Sequence, residues 1–208
     1  QFVHVGLDQP AISGDGRFVA YRSDAASNDA VPGWGTGVTP GGPATRQIYI
    51  WDRNEAEPCL AVRLVSVRVD GEPTVVGASD PVLSRDGRVV AFTSADVGLV
   101  PAVLPACGRG CPTQVFRLDR DIDANGIYDE ASRTAMKMVS SVEGSDPVVA
   151  GTASSSQPAL SAEGQLVAFI TKASNLQLVE ASGGGEADDG DLLVADAVSG
   201  SLRRIAVV

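Results

Sequence analysis

The sequence specifies an all-β protein made of three tandem four-stranded antiparallel units, and two repeated segments carry that fold class. The first runs Pro10-Ala-Ile-Ser13-Gly-Asp15-Gly16-Arg17-Phe18-Val-Ala20-Tyr21, then Pro81-Val-Leu-Ser84-Arg-Asp86-Gly87-Arg88-Val-Val-Ala91-Phe92, then Pro158-Ala-Leu-Ser161-Ala-Glu163-Gly164-Gln165-Leu-Val-Ala168-Phe169. The second follows each of them: Gln47-Ile-Tyr-Ile-Trp51-Asp52, Gln114-Val-Phe-Arg-Leu118-Asp119 and Asp191-Leu-Leu-Val-Ala195-Asp196, each ending on aspartate.

Within the first segment a short apolar strand meets Ser-x-Asp/Glu-Gly and then an alternating apolar strand. That is the pattern of a hairpin in which glycine supplies a positive φ. The Gln/Asp-led segment is the third strand of each unit. A fourth strand is expected over residues 61–67, 135–141 and 202–208. No segment carries a convincing helical period. Units of this kind cannot build a core alone, so they stack face to face as β-propeller blades.

The blade boundaries expected from the repeat are 10–68, 69–141 and 142–208, with residues 1–9 reading as a strand of a preceding blade. Closed propellers hold about four to eight blades. Three do not close, so either further blades or a second copy of the chain is needed to complete a ring. Tyr21, Phe92 and Phe169 share one position and should pack between blades, and Trp51 is placed in the same core.

These motifs resemble the WD-repeat-like blades of TolB-type propellers, through Pro-x-Leu/Ile-Ser-x-Asp-Gly-Arg-x-Val-Ala-Phe and the third strand Gln47-Ile-Tyr-Ile-Trp51-Asp52. The resemblance spans the chain and implies a blade type without fixing an activity, because that family mixes periplasmic binding scaffolds with propeller domains attached to peptidases.

Composition narrows the function classes. The chain has 26 acidic and 16 basic residues and a net charge of −10, which disfavours nucleic acid and anionic membranes as partners. The most apolar stretch, residues 97–106, is interrupted by Pro101 and Pro105, and no run is long enough to span a membrane as a helix. Cys107 and Cys111 frame a Gly-rich turn short enough for a local disulfide, which favours an oxidising compartment, extracellular or periplasmic. Cys59 would then be an odd, buried thiol.

Propeller geometry puts the second-to-third connections on one face. These are long in all three units, from Arg22 to Arg46, Thr93 to Thr113 and Ile170 to Gly190. Long loops on a rigid scaffold are the usual place for binding. Candidate contacts on that face are Trp34, in a Gly-rich loop, and the acidic Glu186, Asp188 and Asp189.

The middle unit inserts Asp121-Ile-Asp123-Ala-Asn125-Gly126-Ile127-Tyr128-Asp129-Glu-Ala-Ser132 between its third and fourth strands. The spacing offers oxygen ligands from Asp121, Asp123 and Asn125, the Ile127 carbonyl and Asp129, with glycine at the sharp turn, and it resembles EF-hand-type Ca2+ loops. Ser132 stands where the bidentate Glu would be, so the expected affinity is weak, on the order of 10⁻⁴ to 10⁻³ M. Asp119, repeated as Asp52 and Asp196, is read as a structural strand end.

Catalysis is not the expected activity. The only histidine, His4, lies near the start of the chain, no Gly-x-Ser-x-Gly elbow is present, and the Ser-x-Asp pairs recur at equivalent turns. The leading expectation is a non-catalytic, exported scaffold that binds a protein partner, further blades or itself. The alternative is the propeller domain of a larger hydrolase whose catalytic residues lie outside this chain.

Overall fold

The computed structural model describes residues 6–24, 45–57, 60–103, 110–176 and 190–205. The first blade consists of β1 (Leu7–Ile12), β2 (Phe18–Ser23), β3 (Gln47–Asp52) and β4 (Val62–Leu64), paired in that order. The second contains β5 (Ala78–Leu83), β6 (Val89–Ser94), the two-residue β7 (Ala102–Val103), β8 (Gln114–Asp119) and β9 (Ala135–Met138), its sheet running β5-β6-β8-β9. After β10 (Val148–Val149), which pairs parallel with β7, the third blade is β11 (Ser155–Leu160), β12 (Leu166–Thr171), β13 (Asp191–Asp196) and β14 (Leu202–Arg204). All pairings within the blades are antiparallel.

The first blade begins at Leu7, three residues before the repeated motif, and the fourth strands are shorter than the sequence suggests. The only helical features among the described residues are two 3-10 turns, Val97–Leu99 and Ser174–Leu176.

The repeated turn is a closed set of local hydrogen bonds. Ser13 Oγ donates to Asp15 Oδ1 at 2.6 Å and accepts from the Phe18 amide at 2.9 Å, while Asp15 Oδ1 accepts from the Arg17 amide at 2.9 Å. Ser84, Asp86 and Arg88 repeat these bonds at 2.8, 2.9 and 3.0 Å. In the third blade, where Glu163 replaces the aspartate, Ser161 Oγ still accepts from the Leu166 amide at 3.0 Å. Gly16, Gly87 and Gly164 have φ of 70°, 72° and 68°, a region costly for any residue with a Cβ.

The strand-end aspartates belong to the same device. Arg17 grips Asp52 through two bonds of 2.9 and 2.8 Å, and Arg88 grips Asp119 at 2.8 and 3.1 Å. In the third blade Gln165 reaches Asp196 at 3.0 Å. Burial alone would raise the carboxyl pKa of Asp52 and Asp119, but the arginine pairing outweighs it and both lie below the usual value.

Each inner strand carries a bulge just before its proline. Gln9, Asp80 and Gln157 sit at φ of 51°, 55° and 54°, and the register shifts there in β1, β5 and β11. Proline has no N–H for the ladder, so the strand breaks at that point in every blade.

The cores lie between blades. Phe18, Ile48 and Ile50 of the first blade pack with Val90, Phe92, Phe116 and Met138 of the second. On its other side the second blade presents Ala91 and Val115 to Val167, Phe169 and Leu193 of the third. Backbone bonds tie the same seams: Asp15 N to Arg85 O (2.9 Å) and Ala78 N to Arg46 O (2.8 Å) at the first, Arg85 N to Ala162 O (2.8 Å) and Ser155 N to Thr113 O (2.8 Å) at the second.

The third blade differs at the matching positions of its outward face. Phe18 and Val89 are 0% and 1% exposed, whereas Leu166 at the same repeat position is 42% exposed; Ile48 and Val115 are buried, and the equivalent Leu192 is 37% exposed. Trp51 does not belong to a seam core either. It is 38% exposed on the face of the first blade that points away from the second, where Leu118 and Ala195 hold the matching positions. The same face of the sheet carries Tyr21 and Tyr49, whose rings stack at 5.9 Å. Burial pushes the Tyr49 hydroxyl up to about 12.

The tight seam predicts a graded glycine effect. A Cβ at Gly87 would overlap the Phe18 ring, while one at Gly16 meets nothing within 4 Å. Gly16→Ala should cost about 1 kcal/mol from backbone strain alone, and Gly87→Ala about 3 kcal/mol or more because the seam must also open. Urea melts of the two variants check this; equal losses would mean that the glycine is needed for its φ alone.

Candidate functional site

Two features depart from the plain repeat: the loop inserted between β8 and β9, and a cavity between the first and second blades.

The loop wraps around Asp121, which is 2% exposed. Asp121 Oδ1 accepts from the Asn125 amide at 3.1 Å and Oδ2 from the Gly126 amide at 2.9 Å, with Gly126 at φ 85°. Burial would raise the Asp121 carboxyl, yet the Gly126 amide, Asp123 and the Asn125 amide hold it below its usual value. Asn125 Oδ1 accepts from the Ile127 amide at 2.7 Å, and Asn125 Nδ2 donates to Glu130 at 2.8 Å. Asp121, Asp123 and Asn125 are thus brought together.

Asp129 turns elsewhere. Its carboxylate accepts from Arg120 at 2.6, 3.0 and 3.2 Å, and the Arg120 side chain is only 3% exposed. Among the described residues no group of three or more His, Cys, Asp or Glu side chains is set to hold a metal ion.

The loop also does something its spacing does not announce. Tyr128 lies against Phe18 of the first blade, with ring centroids 5.3 Å apart, and both Arg17 and Arg120 place their guanidinium groups over the two rings at 4.6 to 5.6 Å. Arg120 Nη1 also donates to Gly87 O at 2.8 Å. The insertion therefore clamps the first seam from its rim. The only sequence signal was an aromatic in the one unit with an insertion.

The cavity, about 380 Å³, opens at the first seam on the face of the second-to-third connections. Arg22, Arg46, Ser79, Thr93 and Thr113 are in its wall. Arg22 donates to both oxygens of Asp8 at 2.6 and 2.7 Å and to Ser79 Oγ at 3.0 Å. Arg46 donates to Asp8 Oδ2 at 2.6 Å. Those bonds, Arg22's first, hold the Asp8 carboxyl below its usual value. Beside it, Asp80 accepts from Gln9 Nε2 (3.0 Å) and Thr93 Oγ1 (3.0 Å). Sequence reasoning singled out none of these residues; aligning the repeats position by position would have exposed them.

Of the other predicted positions, Trp34, Glu186, Asp188, Asp189 and Cys107 lie outside the described residues, as does His4. Cys111 is disulfide-bonded. The long connection of the second blade is anchored through β7, which pairs with β10 in the link to the third blade.

Three antiparallel meanders stacked through their faces define the chain as a set of β-propeller blades. Solved structures similar in fold include TolB from Acinetobacter baumannii (16% identity, TM-score 0.45, 96% of this chain and 32% of that one) and the putative TolB from Agrobacterium tumefaciens (15%, 0.46, 97% and 49%). The β-propeller domain of the Trilobed protease from Pyrococcus furiosus is another (12%, 0.48, 97% and 42%). The chain spans between about a third and a half of the length of these proteins. No protein-family model matches the chain, and no curated protein sequence matches it. No helix among the described residues is long and apolar enough to cross a membrane.

The clamp is testable on its own. Tyr128→Ala should destabilise the fold by about 2 kcal/mol through lost ring burial and cation–π contact, and Tyr128→Phe, which keeps the ring, by less than about 0.5 kcal/mol. Denaturant melts of both variants distinguish a clamp from a solvated loop, for which neither change would register.

Proposed function

We propose that this chain is a non-catalytic, exported binding and assembly scaffold, part of a larger propeller whose remaining blades come from a second copy or from further sequence. The observation that supports it is the outward face of the third blade, where Leu166 and Leu192 stand exposed at positions that both internal seams bury. An apolar sheet face of this kind gains stability only when another surface covers it. Two copies joined head to tail would make six blades, within the range of closed propellers, through a heterologous contact that closes on itself. The same open face also fits the propeller domain of a larger hydrolase, in which the rest of the polypeptide would cover it. The disulfide at Cys111 favours an oxidising location, outside the cell or in the periplasm.

Light scattering tests the assembly. The expected species has twice the chain mass of 21.3 kDa, and Leu166→Glu should return it to a monomer. A monomer in the unmodified chain would remove self-assembly and assign the face to blades elsewhere in the same protein.

The inserted loop is proposed to bind Ca2+ in a structural role. Asp121, Asp123, Asn125 and the Ile127 carbonyl supply hard oxygens at suitable spacing, and Asp129 could join only by giving up Arg120. With about 5 mM Ca2+ and a dissociation constant in the range given above, folding should gain about 1 to 2 kcal/mol. A thermal melt with Ca2+ and then with chelator reads the gain, which Asp123→Asn should erase; unchanged melting would remove calcium from the account.

A further inference from the structure

The repeat gives a way to separate what the fold requires from what it does not. Asp8 pairs with Arg22 across β1 and β2, and the residues at the same places are Ser79 with Thr93 in the second blade and Ser156 with Ile170 in the third. Arg46, just before β3, corresponds to Thr113 before β8 and Gly190 before β13. The backbone task is unchanged by these replacements: Arg46 O and Thr113 O each accept a bond from the next blade at 2.8 Å. Neutral, small or apolar side chains therefore satisfy this part of a blade, and the first blade alone has charges at all three positions.

Those three charges meet at one place. Arg22 and Arg46, bridged by Asp8, line the cavity of about 380 Å³, a size within the usual range for small-molecule sites of about 300 to 1,000 Å³. Two guanidinium groups share the Asp8 carboxylate, and the charge of Asp80 also acts on Arg22, so Arg46 is the arginine left with only a shared acid partner. Arg22 is spent on Asp8 and Ser79. Arg46 gives one nitrogen to Asp8, and its side chain is 44% exposed at the opening. Asp80 in turn accepts from Gln9 and Thr93.

We propose that this cavity binds an organic carboxylate, which Arg46 takes in a two-bond fork while Asp8 holds the arginines in place. A guanidinium matches a carboxylate in just this planar geometry. The threonine hydroxyls of Thr45 and Thr113 in the wall offer further donors. Asp8 is bound to the same guanidinium groups, so it competes with the ligand as well as orienting its partners. The proposal goes beyond the scaffold reading and stands whether or not the chain self-assembles.

The test is a titration of the 208-residue chain followed by the Arg Nε–H resonances, with succinate as one probe and an acetylated tripeptide, as the free acid and as the amide, as the other. Saturable shifts are expected for at least one acid with a dissociation constant of about 0.1 to 1 mM at low salt. Succinate binding alone identifies a small acid; binding of the free-acid peptide but not its amide identifies a chain terminus. Arg46→Gln should abolish the shifts while leaving the melting temperature near that of the parent, and Arg46→Lys should weaken them because the fork is lost. Asp8→Asn should tighten binding by roughly tenfold, since it removes a competing charge. A purely structural ion pair predicts the reverse: no saturation by either acid up to about 20 mM, or binding that Arg46→Gln leaves unchanged, would overturn the proposal. Should Asp8→Asn fail to fold, the Arg46 pair of variants decides the matter alone.

Discussion

A four-stranded antiparallel sheet has two faces and too little chain to cover either, and every seam of this protein is an answer to that constraint. Burying a phenylalanine is worth roughly 1.5 to 3 kcal/mol, and the first seam collects Phe18, Phe92 and Phe116 in one cluster. The second uses Phe169 with Val115 and Leu193. Tyr21, Phe92 and Phe169 share a position because it points towards the preceding blade each time. In the first blade the same position holds Tyr21, which stacks on Tyr49.

How much of this the sequence disclosed depends on the distance over which an interaction acts. The Ser-x-Asp-Gly turn was legible because all of its bonds fall within five residues. The strand-end aspartates were recognisable as repeated, but their partner was not, because Arg17 and Asp52 are separated by a whole connection. The bulge was invisible for another reason. The residue before proline normally avoids a left-handed conformation, yet Gln9, Asp80 and Gln157 all adopt one where the strand must kink. Trp51 was placed in the core with the repeated aromatics, whereas among the described residues no blade covers its face. The loop's spacing pointed to a cation, while the contact of Tyr128 with Phe18 joins elements from two blades and leaves no local trace. The cavity residues escaped notice because each looks like an ordinary strand charge until the repeats are superposed.

The two seams share their apolar logic and differ in their polar fastening. At the first, the loop brings Arg120 and Tyr128 over Phe18, and Gln9 exchanges bonds with Asp80 through both its oxygen and its nitrogen. At the second, Arg117 crosses to Gly164 O at 2.8 Å and Lys137 to Ala197 O at 3.0 Å. Burial lowers the pKa of Arg117, though an arginine keeps its charge at any ordinary pH. Within the first two blades the fastening is common to both: Gln47 accepts from Ser66 and Thr74, and Gln114 accepts from Ser140.

That division has a consequence for assembly. Apolar faces of similar blades are interchangeable to first order, since burial is proportional to area and has no direction. What tells one neighbour from another must then come from the few polar groups that cross a seam, whose loss leaves a buried partner unsatisfied. Several arginines are spent inside their own blade, Arg17 on Asp52, Arg88 on Asp119 and Arg204 on Asp191. Among the described residues the crossing bonds differ at each seam: Arg22 to Ser79 and Gln9 with Asp80 at the first, Arg117 to Gly164 and Lys137 to Ala197 at the second. A blade that covers Leu166 and Leu192 therefore needs more than an apolar face. It must also bring partners for the polar rim of the third blade, and this requirement makes blade order a property of the sequence.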